Sequence, residues 1–144
     1  MTHRPRPIAR LAATLVALAA LAVALAPAPA GAASLHFREG SFVGTTGLDH
    51  GEIELKVVRK RSGLFVRHIV LEGSFDCYGY PEDVHIDRYV SGVKVGALGG
   101  FRIPDADVNL RGHYATSGRI EGSLIAKTLS CDSPREHFVA KRGG

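Results

Sequence analysis

The chain has 144 residues, 18 Lys and Arg against 14 Asp and Glu, and two cysteines, a length that holds one domain rather than two. The basic excess belongs to the N-terminus, where Arg4, Arg6 and Arg10 stand without an acid; the remainder has 15 basic and 14 acidic side chains. That balance argues against nucleic-acid binding, which needs a clustered basic face.

Residues 11–25 form an almost unbroken Leu/Ala/Val run in which only Thr14 is polar, and Pro27 and Pro29 follow it. Basic, then apolar, then small is the order of a secretory signal. Ala30-Gly31-Ala32 satisfies the small-x-small rule, so cleavage is expected after Ala32, with Ala30 and Ala33 as alternatives. A spanning helix needs roughly twenty apolar residues, and this run is shorter. No cysteine stands near the cleavage point, and Pro5 separates Arg4 from Arg6, so neither a lipid anchor nor a twin-arginine signal is expected. The reading is a cleaved signal over 1–32 and a single secreted domain over 33–144, without membrane attachment after processing.

The domain reads as strands between turns, with sixteen glycines from Gly40 onward. A first strand is expected over 41–46 and a turn over 47–51. Next, 52–57 alternates, with Ile53, Leu55 and Val57 on one face. Arg59-Lys60-Arg61 precedes Ser62-Gly63 and reads as a solvated hairpin tip. Residues 64–75 alternate imperfectly, which a bulge or a strand covered on both faces would explain. A loop is expected over 77–83 and a strand over 84–90; 91–100 is glycine-rich with a short strand around Val93, Val95 and Ala97. A short piece at 101–103 ends at Pro104. Residues 108–114 alternate with Val108, Leu110 and Tyr114 inward, 119–127 with Ile120, Leu124 and Ala126, and 136–142 with Phe138 and Ala140. No helical period is present. Large apolar residues recur two positions after a glycine, as in Gly40-Ser41-Phe42 and Gly122-Ser123-Leu124. Glycine leaves room for a neighbouring ring and lets a sheet bend. The expected fold is all-β: one small antiparallel barrel or sandwich. In an oxidising compartment, Cys77 and Cys131 are expected to form one disulfide.

The set Gly-Ser-Phe-Val-Gly-Thr-Thr at 40–46, Cys77, Gly112-His113-Tyr114, the run at 118–124, Cys131, and the ending Phe138, Ala140, Arg142 resembles a group of small exported bacterial glycine-rich β proteins of unassigned function. In that group the terminal aromatic is commonly Trp, where this chain has Phe138. The resemblance implies the fold and the disulfide, and no activity.

Catalytic patterns are thin. His85-Ile86-Asp87 places two ligand-type side chains on one strand face, and with His113 it is the weak candidate for a metal site or a small metal-assisted hydrolase. A zinc site needs three or four converging ligands. Asp105-Ala106-Asp107-Val108-Asn109 starts like a calcium loop but has Leu110 and Thr116 where glycine and a bidentate acid are required. There is no Gly-x-Ser-x-Gly elbow, and no motif calls for a cofactor. The expected surface of interest is Cys77-Tyr78-Gly79-Tyr80-Pro81-Glu82-Asp83, where Tyr78, Tyr80, Glu82 and Asp83 suit an extracellular glycan or protein partner. The other use for the tyrosines is to cap the open end of a barrel. The functional expectation is a secreted non-enzymatic binding domain, with an inhibitor of an extracellular enzyme as a close variant.

Overall fold

The computed structural model describes residues 36–143; the expected signal and its cleavage site lie outside them. Among the described residues there are eight strands: β1 Gly40–Thr46, β2 Asp49–Lys60, β3 Gly63–Cys77, β4 Tyr80–Lys94, β5 Gly100–Pro104, β6 Val108–Thr116, β7 Arg119–Ala126 and β8 Glu136–Arg142. All ladders are antiparallel, in the order β4-β3-β2-β1-β8-β7-β6-β5. The sheet curls until β4 and β5 lie against each other, so the fold is a nearly closed barrel and not a sandwich. Side chains fill its interior, as an eight-stranded barrel allows. Phe42, Leu55, Leu71, Leu110, Ile120 and Phe138 are among the buried residues of one continuous core.

The alternating strands face as their patterns require: Ile53, Leu55 and Val57, then Val108, Leu110 and Tyr114, then Ile120, Leu124 and Ala126, then Phe138 and Ala140 are all buried. The irregular run in β3 is a bulge. Its register shifts against β2 at Lys56/Val57 and against β4 between Val66 and His68. Leu64 and Val66 face inward before the shift, Ile69 and Leu71 after it. One extra residue reverses the parity of everything downstream.

Three expected boundaries move. The turn expected over 47–51 shrinks to Gly47 and Leu48, because Leu48 enters the core and β2 starts at Asp49. The loop expected over 77–83 is a two-residue turn, Tyr78-Gly79, between paired Cys77 and Tyr80; Glu82 and Asp83 are strand residues. Pro81 is tolerated there because β4 is an edge strand. The short strand expected around Val93, Val95 and Ala97 is the end of β4 as far as Lys94, offset by the bulge around Gly92; Val95 and Ala97 lie in the connection to β5.

Each end of the barrel is finished differently. At one end Phe37 stacks on Tyr114, ring centroids 4.8 Å apart, and the Tyr114 hydroxyl donates to the Arg38 carbonyl at 2.6 Å. Burial pushes the Tyr114 phenol well above its ordinary range, with Arg59 and Arg142 opposing the shift. At the other end a disulfide joins Cys77, the last residue of β3, to Cys131 in the β7–β8 connection. These segments are separated in the sheet by β2, β1 and β8, so the bond reaches across the barrel end. Ser133 anchors the same connection: its hydroxyl accepts from the Ala126 amide at 2.9 Å and donates to the Pro134 carbonyl at 2.8 Å.

Candidate functional site

The β3–β4 tip carries the most exposed aromatic pair. A two-residue hairpin turn of type I′ needs positive φ at both central positions, which favours Asn or Gly. Gly79 has φ 89°, and Tyr78 takes φ 56° although it is neither. The Asp76 carboxylate accepts from the Gly79 amide at 2.8 Å and fixes the turn, while the disulfide at Cys77 fixes its base. Tyr78 and Tyr80 are 87% and 74% exposed, so neither closes the barrel end. That role falls at the opposite end to Phe37 and Tyr114. Beside the tip lies an open groove of about 570 Å³, lined by Asp76, Tyr78, Asp132 and Pro134 around the disulfide. Glu82 and Asp83 follow on β4, giving the neighbourhood an acidic rim.

The weak metal candidates are placed apart from one another in their contacts. His85 Nδ1 lies 3.1 Å from Glu72 Oε1, and Asp87 Oδ1 lies 2.6 Å from His68 Nε2. His113 stands on β6, paired opposite Glu121 of β7. Among the described residues, no group of three or more His, Cys, Asp and Glu side chains is arranged to hold a metal ion. The outer face of the β3–β4 hairpin is instead a run of cross-strand pairs, to which Tyr89 adds a tilted contact with the His68 ring at 4.5 Å.

Sequence reasoning missed His68 and Glu72 as partners. The signal was available: a turn centred on Tyr78-Gly79 pairs Cys77 with Tyr80, and counting back sets Glu72 opposite His85 and His68 opposite Tyr89. Expecting a seven-residue loop hid that register.

The calcium-like acids have a different occupation. Arg88 reaches from β4 across the seam, donating from Nη1 to Asp105 at 2.6 Å and from Nη2 to Asp107 at 2.5 Å. Burial alone would raise the Asp105 pKa; the Asp107 amide and the Arg88 guanidinium outweigh it and hold the carboxyl below its ordinary value. The hydrogen bonds that Arg88 donates, first to Asp105 and then to Asp107, raise its own pKa in turn. The pair of acids is a clasp closing the gap between β4 and β5.

A third surface lies on the outer wall of β6, β7 and β8: a trench of about 450 Å³ with Arg111, His113, Ser123 and His137 on its sides. Its floor is the glycine pair Gly112 and Gly122, which face each other in register. Inside the barrel, the Phe101 ring lies beneath Gly112 and the Phe138 ring beneath Gly122. A Cβ at Gly122 would fall 2.0 Å from the Arg111 carbonyl oxygen and 2.7 Å from Phe138, so no side chain fits there.

Among the described residues, no helix is long and apolar enough to cross a membrane. Comparison with known protein families, curated proteins and solved structures finds no match to this chain.

Proposed function

We propose that the protein is an exported, non-enzymatic binding domain whose partner, an extracellular glycan or protein, is engaged at the β3–β4 tip. The observation that carries this reading is Tyr78. A tyrosine with φ 56° and 87% exposure gains almost nothing from the fold and pays the conformational cost of a left-handed backbone. Strain kept at an exposed position points to use of the side chain. Tyrosine presents a large amphipathic surface with few rotatable bonds, and a turn locked by Asp76 and the disulfide has little freedom left to lose on binding. Export is supported by the basic, apolar and small-residue order of the first 32 residues and agrees with the Cys77–Cys131 bond.

The test uses residues 33–144, produced oxidised and screened against cell-wall glycans and secreted proteins beside a Tyr78→Asn/Tyr80→Ser variant. The proposal expects a partner that the variant fails to hold. A partner bound equally by both would remove the site from the tip. A secreted enzyme among the partners, with its activity reduced on binding, would specify the domain as an inhibitor.

A further inference from the structure

We infer a second binding site, separate from the tyrosine tip: the trench across β6–β8 takes an acidic saccharide, its anionic group on Arg111 and its ring over the glycine floor. Register puts the polar groups together. Arg111 pairs opposite Ser123, and Ser123 opposite His137, so one cross-strand row offers a guanidinium, a hydroxyl and an imidazole. His113 stands two residues along β6, on the same face. None of these four side chains has a hydrogen-bond or ion-pair partner among the described residues. The one acid of the trench, Glu121, is paired with Arg119. On the β3–β4 hairpin and at the seam, by comparison, His68–Asp87, Glu72–His85 and Arg88 with its two aspartates are paired.

The chemistry of the ligand follows from that arrangement. A free guanidinium fork matches a carboxylate or sulfate through two parallel hydrogen bonds. Imidazole and hydroxyl groups donate to and accept from sugar hydroxyls. The floor between them is the backbone of Gly112 and Gly122, inward-facing positions that put no side chain on the outer wall, so a flat ring can approach it. A small inorganic anion would satisfy Arg111 and leave the floor, Ser123 and His137 unused.

The experiment is an amide-shift titration of ¹⁵N-labelled protein, residues 33–144, with a hyaluronan tetrasaccharide, with the neutral chitin tetrasaccharide, and with sodium sulfate. The inference expects the acidic sugar to move the Gly112, Gly122 and Val139 amides. Arg111→Gln, at an exposed position, is expected to keep the dispersed spectrum of the folded protein and weaken binding roughly tenfold or more, the usual effect of losing a charged hydrogen bond. Tyr78→Asn/Tyr80→Ser is expected to bind the sugar as the parent does. Equal binding of the neutral sugar, sulfate binding as tightly as the saccharide, wild-type affinity in Arg111→Gln, or no shifts at the trench would each overturn it.

Discussion

The two halves of the barrel bend by different means. In β2, β3 and β4, strands of 12, 15 and 15 residues, curvature comes at register shifts: Asp49/Glu52, Lys56/Val57 and Val66/His68. In β5 to β8, strands of 5, 9, 8 and 7 residues, the one register shift, between Tyr114 and Thr116, lies at the end of β6, and the mid-strand positions are glycines covered by rings. Phe101 is opposite Gly112, and Phe138 opposite Gly122, each ring filling the space a side chain would have taken. The difference shapes the outer surface. The bulged β3 keeps its outward side chains, and His68 and Glu72 pair across to Asp87 and His85 of β4. Gly112 and Gly122 face inward onto rings, and the outward groups on either side of them, Arg111, His113, Ser123 and His137, line the trench. The long half therefore presents a projecting tip, and the short half a trench.

The most damaging change falls in the glycine half. Gly122→Val places atoms on the Arg111 carbonyl and the Phe138 ring, and is expected to prevent folding, read as loss of a cooperative thermal transition. Gly118, where an added Cβ meets nothing within 4 Å, is the control: Gly118→Ala is expected to stay within about 0.5 kcal/mol of the parent.

The next tests the disulfide that staples the long half to the short one. Closing a loop with a sequence separation of 54 restricts the unfolded chain by about 4 kcal/mol in the chain-entropy model. Denaturation of a Cys77→Ser/Cys131→Ser variant is expected to show a loss of that order.

A smaller effect belongs to the seam between the halves. The Asp105 carboxyl is held below its unfolded value, so its contribution is complete above the ordinary carboxylate range and is lost as pH falls through the folded value. The melting temperature should therefore fall on acidification below about pH 4, and Arg88→Gln should flatten that part of the profile while lowering Tm by a few degrees at neutral pH.

The smallest effect has the opposite sign. Tyr78→Asn relieves the left-handed backbone at φ 56° and is expected to stabilise the domain by about 0.5–1 kcal/mol while abolishing partner binding. A destabilised variant would show that Tyr78 belongs to the fold and not to a site.

Much of the fold was legible in the sequence because burial on one face writes a period of two into a strand. Ile53-Leu55-Val57 and Val108-Leu110 show it cleanly, and their strands formed where expected. The β3–β4 hairpin was harder to read. Its bulge breaks the period, and its turn puts Tyr where Asn would have signalled the type. Misjudging that turn concealed the β3–β4 register, and with it the partners of His85 and Asp87. The Arg88 clasp depends on closure of the barrel, which brings β4 to β5, and no local pattern encodes it; the trench depends on the register of the β6–β7 and β7–β8 ladders. Gly112 and Gly122 were visible as curvature signals, but their service as a floor depends on which rings lie beneath them.

Binding at the tip requires that it hold two tyrosines in a fixed, outward pose. Backbone ¹⁵N relaxation on the oxidised domain measures this without a partner. Order parameters at Tyr78 and Gly79 are expected close to those of the strands, about 0.85; values below about 0.6, typical of a mobile loop, would rule out a rigid tip.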